Sequence, residues 1–321
     1  MRKSVLLAAF TAFVCVGLPL MLLPEGGRDL ESTSQTGSGQ MQQAQEVPGI
    51  DGAIGIRVRT DDGVAEMPLD EYLVGVLLGE MPMDFSEEAL KAQAVVCRTY
   101  TLRRIGAPKH EDADICMDSS CCQAWSDGEG YPESARMKAQ SAIKATDGEV
   151  LLYRGTLIDA TFFSSSGGRT ESAVEVWGTD VPYLQAVDSP GEDSPYNVDQ
   201  KRFSLHDFRS LILEASPEAK LDGAPESWFG QYQRSAGGGI SSIWIGGVSF
   251  SGTELRRLLS LRSTAFDVEV TAEEIIFHTQ GFGHRVGMSQ YGAQALALAG
   301  WSYRDILLYY YTDVECGVYQ Q

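Results

Sequence analysis

The sequence predicts an α+β protein: a mixed, barrel-like β-sheet core with flanking helices and a smaller inserted subdomain at about residues 188–239, all preceded by one N-terminal transmembrane helix. Three observations carry this expectation. Alternating stretches such as "GIRVRTDDGVAEMPL" read as strands, and long apolar-periodic runs such as "EEALKAQAVVCRTYTLRR" read as helices. The two kinds are mixed without the regular strand–helix–strand alternation that builds a parallel sheet. Residues 4–24 carry no charge and follow Arg2 and Lys3. They reach about the ~20 residues that a spanning helix needs.

Composition sets the bounds. At 321 residues the chain can bury one large or two medium cores, and 43% apolar with 21% charged residues describes a globular protein. A formal net charge of −19 excludes nucleic acid as a partner, because phosphate binding needs basic patches. Without a small-residue cleavage site after residue 24, residues 1–24 read as a retained membrane anchor, a cleaved signal peptide being the competing reading. Residues 25–49, with "ESTSQTGSGQMQQAQE", read as a flexible linker, and residues 50–316 as the folded domain.

The elements follow in order. A hairpin turns at Asp61, Asp62 and Gly63, and a short apolar helix with Asp70 as N-cap leads to Glu80. Pro82 biases Met81 away from helix, so Glu80 stands at a helix end. Ser86 caps the next helix, whose acids stand at its start and arginines at its finish. Leu90, Ala94, Cys97 and Thr101 share its apolar face, which makes Cys97 a core residue, whereas Lys91, Gln93 and Arg98 point elsewhere. Residues 132–145 form a third helix, and "EVLLYRGTLIDATFFSSSGG" a hairpin turning at Arg154 and Gly155. A further hairpin surrounds Gly246 and Gly247, "FDVEV" and "EIIFHT" are strands, a helix over 289–299 closes at Gly300, and Ser302 with Asp305 boxes the last helix.

Four ordered blocks, "EYLVGVLLGEMP" through "EALKAQAVVCRTY", "FFSSSGGRTESAVEVWG", "GTELRRLLSLRSTAF" and "GFGHRVGMSQYGAQALALAGWSYRDILLYYY", together resemble the stage II sporulation protein D family. The resemblance implies a membrane-anchored, extracytoplasmic lytic transglycosylase that cuts peptidoglycan glycan strands stripped of stem peptides during engulfment. It also implies a cell-wall amidase and a membrane scaffold as partners. Amidase enhancers share the domain, so a non-catalytic glycan-binding enhancer is the alternative.

Within the resemblance, Glu80 in "GEMP" matches the catalytic glutamate. One carboxylate suffices for such chemistry, because the muramic 6-hydroxyl replaces the water or second carboxylate of a hydrolase. Lys91, Gln93, Arg98, Tyr100, Ser165, Arg169, His284, Ser289 and Gln290 are the expected cleft residues, although solvation or capping accounts for any one of them equally well. His110, Cys116 and Cys122 match zinc-binding positions of the family, and thiolates with imidazole suit zinc. A small disulfide or free thiols are the competing readings. Two departures stand out: Cys121 occupies a position where histidine is frequent, and Arg285 one where glycine is common.

Overall fold

The computed structural model describes residues 49–320. Strands β1 (Gly55–Thr60) and β2 (Gly63–Pro68) form the expected antiparallel hairpin, with Thr60 opposite Gly63. Their alternation is physical: Ile56 and Val58 are buried while Arg57 and Arg59 face solvent. A two-residue strand, β3 (Ile115–Cys116), adds in parallel to β1, with Ile115 opposite Val58 and Cys116 opposite Arg59.

Helix α1 (Leu69–Glu80) starts from Pro68 as N-cap, two residues earlier than expected, and Asp70 sits in its first turn, where the helix dipole favours an anion. It stops as Pro82 demands: Met81 is extended, at φ −117° and ψ 138°. Helix α2 (Glu87–Gly106) is the centre of the first apolar core, packed by α1, by α3 (Glu133–Ala145), by the strand Glu149–Tyr153 and by the helices Gln290–Leu298 and Tyr303–Tyr310. Surrounded in this way, α2 buries residues on every side. The expected apolar face is there, but Gln93 and Arg98 are fully buried as well. Ser86 precedes α2 without capping it; its hydroxyl and its N–H both donate to Gln294 Oε1, at 2.7 and 2.8 Å.

The buried Arg98 shows how this core tolerates a charge. Its guanidinium pairs with Asp51 at 2.6 Å and donates to Thr146 Oγ1 and to the carbonyls of Glu149 and Ile143, each at 3.2 Å. One side chain thus fastens the start of the domain, the end of α3 and the following strand onto α2. Burial raises the Asp51 pKa despite this partner.

A second apolar cluster, including Phe208, Ile212, Trp228, Ile245, Phe266 and Phe277, lies beneath two further three-stranded sheets. One sheet joins Val198–Ser204 to Glu274–Gln280 and that strand to Ala265–Val270; the other joins Phe229–Arg234, Ile240–Ile245 and Val248–Ser251. This cluster therefore recruits strands well beyond residue 239.

Two expectations are corrected. There is no barrel: the described residues form five separate sheets of two or three strands, and none closes. The strands are too short and too often ended by turns to wrap around one core. Nor is any described helix long and apolar enough to cross a membrane. The longest, α2, carries Glu87, Glu88, Lys91, Arg98, Arg103 and Arg104. The expected anchor, residues 1–24, lies outside the described residues, so the anchor, the membrane as partner and the extracytoplasmic location derived from it are withdrawn.

Arg98→Ala should lower stability by about 3–5 kcal/mol, because Asp51 is left buried without its partner. Urea denaturation measures this, and the double variant Arg98→Ala with Asp51→Ala should recover part of the loss.

Candidate functional site

Glu80 is the last residue of α1 and is half-buried, while Gly79 beside it is exposed. Its carboxylate Oε1 accepts the backbone N–H of Ala124 at 2.6 Å. Gln290 Nε2 donates to the Glu80 carbonyl at 3.2 Å. Burial raises the Glu80 pKa above its ordinary value, and the Ala124 N–H and the Gln290 amide oppose that rise.

The turn that follows is held from three sides. Tyr131 Oη donates to the Leu78 carbonyl at 2.8 Å, and Lys138 Nζ donates to the carbonyls of Met83 and Phe85 at 2.9 and 2.7 Å. Gln294 receives Ser86, as described above. The carboxylate therefore sits on a rigid support.

Ala124 reaches Glu80 because α1 lacks side chains where the loop crosses it. A Cβ on Gly79 would lie 2.9 Å from the Ala124 carbonyl carbon and from the Trp125 nitrogen; one on Gly75 would lie 2.1 Å from Trp125 Nε1. Ser126 N–H then donates to the Gly75 carbonyl at 3.0 Å. The pair Gly75 and Gly79, one helical turn apart, is a sequence signal for such an approach that pattern reading alone passes over.

The same loop begins at the cysteine cluster. His110, Cys116, Cys121 and Cys122 bring their ligand atoms within 4.8 Å of one another. His110 Nε2 lies 3.7 Å from Cys121 Sγ and 3.6 Å from Cys122 Sγ, and the two sulfurs are 3.8 Å apart. A tetrahedral zinc site with ~2.3 Å Zn–S bonds has ligand–ligand edges of about 3.8 Å. These four residues thus form a structural metal site suited to zinc, with Cys121 as the fourth ligand. All the cysteines among the described residues are free thiols, and no disulfide competes. Strand β3 supplies Cys116, Asp114 beside it receives both the Arg57 side chain and backbone N–H at 2.9 Å, and Tyr72 Oη donates to the Cys116 carbonyl at 3.3 Å. The Asp118 carbonyl accepts the N–H groups of Cys121 and Cys122 at 3.0 and 2.7 Å. Next along the chain, Gln123 is fully buried and accepts Thr101 Oγ1 from α2 at 2.9 Å. A metal held here would cross-link the loop whose next residues carry the Ala124 N–H.

Of the other expected cleft residues, Gln290 and Ser289 stand closest to this arrangement. Ser289 caps the helix that bears Gln290, accepting Gly292 N–H at 3.1 Å, and its hydroxyl donates to Glu192 Oε1 at 2.7 Å. Glu192 escaped the sequence reading, yet it also accepts Ser166 Oγ and Ser189 Oγ at 2.8 and 2.7 Å and the N–H groups of Ser166 and Gly167 at 2.8 and 3.1 Å. It thereby joins the "SSSGG" loop to the helix that reaches Glu80. Ser165 is buried inside that loop, its backbone paired with Phe282.

The remaining residues are not gathered with Glu80. Lys91 is paired with Glu87 at 2.7 Å and Glu88 at 3.1 Å. Gln93 donates to Cys97 Sγ at 3.2 Å inside the core. Arg98 is committed to Asp51. Tyr100 accepts Lys109 Nζ at 3.1 Å beneath the Arg104 guanidinium. Arg169 is ion-paired with Asp188 at the surface. His284 packs between Phe163 and Trp177, accepts Val286 N–H at 3.1 Å and, through burial and the nearby Arg256, has its pKa lowered to about 4. Arg285 adopts a left-handed φ of 65°, which accounts for glycine being common there. Its guanidinium offsets the strain through Ser166, Arg169 and Gly237 carbonyls, each at 2.7 Å, and the buried Glu171 at 3.3 Å.

A family model described as "SpoIID: Stage II sporulation protein" matches residues 59–153, which run from the last two residues of β1 through α1, α2, the metal loop and α3 to the end of the strand Glu149–Tyr153. Stage II sporulation protein D of Bacillus amyloliquefaciens is 34% identical and aligns over 80% of this chain and 76% of its own length. Its counterpart from Bacillus subtilis (strain 168) is 32% identical, over 97% and 94%. The amidase enhancer of Bacillus subtilis is 31% identical, over 74% of this chain and 39% of that protein. The chain belongs to the SpoIID and amidase-enhancer family.

Two measurements test this geometry. Protein purified without added metal should contain about one zinc per chain, and Cys121→Ser should lose it as Cys116→Ser and Cys122→Ser do; retained zinc in Cys121→Ser would leave a three-residue site. Gly79→Ala should lower stability by about 1–3 kcal/mol, since the added methyl pushes against backbone that cannot yield. A thermal midpoint equal to that of the unsubstituted protein would show that the loop is not held against α1.

Proposed function

We propose that this protein is a peptidoglycan lytic transglycosylase with Glu80 as its single acid/base, acting during sporulation engulfment on glycan strands that a cell-wall amidase has stripped of peptides. The supporting observation is the Glu80 carboxyl itself. It is half-buried at the C-terminal end of α1, its pKa is raised, and the groups that act on it, Ala124 and Gln290, include no second acid.

The reaction needs one proton carrier. Protonated Glu80 gives its proton to the glycosidic oxygen as the C1–O bond breaks. The muramic 6-hydroxyl attacks C1, and its proton passes to the Glu80 carboxylate, which restores the acid. No water enters, and the product ends in a 1,6-anhydro ring. Intramolecular attack carries the entropic advantage of a tethered nucleophile, and the proton transfers themselves contribute roughly 10²–10⁴-fold. Residues 50–316 carry this activity in the proposal, with the second apolar cluster as a subdomain. His110, Cys116, Cys121 and Cys122 hold the loop that presents Ala124, so the metal's part is to order the site.

The likeness to an amidase enhancer supports a second reading, in which the same surface binds glycan and stimulates an amidase without cleaving. Product analysis separates the two. Peptide-free strands incubated with the protein should yield 1,6-anhydro ends, and Glu80→Gln should remove that product at least 10²-fold while leaving the thermal midpoint near the unsubstituted value. Anhydro ends made equally well by Glu80→Gln would sink the assignment, and glycan binding without any cleavage would favour the enhancer.

The pH profile adds a sign. Glu80 acts in its protonated form and its pKa is raised, so the basic limb of kcat/KM should fall at a pH above the ordinary glutamate value of 4.5. A limb at or below that value would show that another group limits the rate.

A further inference from the structure

We propose that Tyr196 and Phe282 form an aromatic platform on which a pyranose ring of the glycan strand stacks, a binding subsite apart from the residues that hold Glu80. Both rings are large, apolar and open to solvent, Tyr196 at 46% and Phe282 at 39%. They stand edge to face, with centroids 6.0 Å apart. What sets them apart from single exposed side chains is that they are adjacent, so together they form one apolar surface of the kind that marks a binding site.

The platform is rigid. Phe282 is locked to Ser165 by a backbone pair, N–H to carbonyl at 2.7 Å one way and 3.2 Å the other. Gly281 N–H donates to the Asn197 carbonyl at 2.8 Å, which ties the Phe282 segment to the residue after Tyr196. Arg262 lies 5.6 Å from each ring. Its guanidinium is already engaged, with Asp199 at 3.3 Å and with the Tyr196 carbonyl at 3.4 Å. The cation therefore stiffens the two rings and has little charge to spare for an anionic ligand. What remains on offer is flat and apolar. Such a surface suits the face of a sugar ring, and a preorganised one loses little entropy on binding.

Position selects a glycan over other flat ligands. Phe85 leaves the turn after Glu80 and packs edge to face on Tyr291 at 5.1 Å, and Tyr291 follows the Gln290 that reaches Glu80. Tyr291 N–H donates to the Ser164 carbonyl at 3.1 Å, and the next residue, Ser165, is the backbone partner of Phe282. Phe85 is buried and seats Tyr291, a half-buried ring beside the Ser164–Ser165 segment that also holds Phe282. A β-linked strand is a ribbon of successive rings, so one end held at Glu80 leaves further rings to meet the Tyr196–Phe282 pair.

The proposal rests on glycan being the substrate of the Glu80 site, and binding can be measured apart from cleavage. Calorimetric titration of amidase-stripped glycan strands into the Glu80→Gln protein gives Kd without turnover. Tyr196→Leu and Phe282→Leu, which keep an apolar side chain, should each raise Kd about tenfold. Tyr196→Phe and Phe282→Tyr, which keep the ring, should hold Kd within about twofold, and so should Trp244→Ala, an exposed ring on the second core's sheet. Unchanged Kd in both leucine variants, or no binding by the Glu80→Gln protein itself, overturns the platform even if anhydro ends are found with active protein. Binding that depends on the rings, with no cleavage by active protein, upholds the platform and removes the lytic reading alone.

Discussion

The arrangement depends on the closeness with which the loop after the cysteine cluster crosses α1. Backbone within about 3 Å of where a Cβ would stand at Gly79, and an indole still nearer at Gly75, leave no room for any side chain. Glycine costs roughly 0.5–1 kcal/mol inside a helix relative to alanine, and α1 carries two on one face. What the contact secures is the Ala124 N–H, set 2.6 Å from Glu80. A donor on mobile backbone would leave the carboxyl to burial alone. Here the donor is fixed on one side by the Gly75 carbonyl and on the other by Gln123, which α2 holds through Thr101.

The second constraint is polar and lies deeper. Arg98 with Asp51 and Arg285 with Glu171 are ion pairs almost without solvent, and both arginines also donate to carbonyls from distant segments. Such pairs add little net stability over apolar packing, because desolvation consumes most of the Coulomb gain. Their effect is on geometry. A guanidinium with its donors committed permits one arrangement of the backbone around it, and Glu192 does the same as an acceptor for three hydroxyls and two N–H groups. Residues that resemble ligand-binding groups in sequence are here spent on locating loops.

That exchange of roles marks where the sequence was legible. Local signals were readable: the hairpin turn, Glu80 at a helix end set by Pro82, Cys97 in the core, and the capping box of Ser302 with Asp305 are all present. Each depends on neighbours within a few positions. The amphipathic reading of α2 failed at Arg98 and Gln93, because a helix enclosed on every side has no face reserved for water. Glu192 could not be found from pattern, since its partner Ser289 lies 97 positions away. The barrel failed for a related reason: short strands show that sheets exist, but their pairing depends on contacts across the chain. At the metal site the residue types were enough to suggest zinc, but the role of Cys121 needed distances, since two adjacent thiols are equally available in sequence.

Glu80 stands between two opposing influences, and the proposed reaction requires both. Complete burial would keep the carboxyl protonated and make it a capable acid but a poor acceptor for the proton of the 6-hydroxyl. Full exposure would leave it ionised at neutral pH, with no proton for the leaving oxygen. Half-burial raises the pKa, while the Ala124 N–H stabilises the carboxylate that forms once the proton has gone. A hydrolase divides these duties between two carboxylates in different surroundings. A single residue must carry both in succession, and an environment that favours neither state strongly is the one that lets it do so. The glycines of α1, the anchored loop and the clamped turn hold the Glu80 carboxyl half-buried and against the Ala124 N–H, the two influences that the proposed reaction draws on.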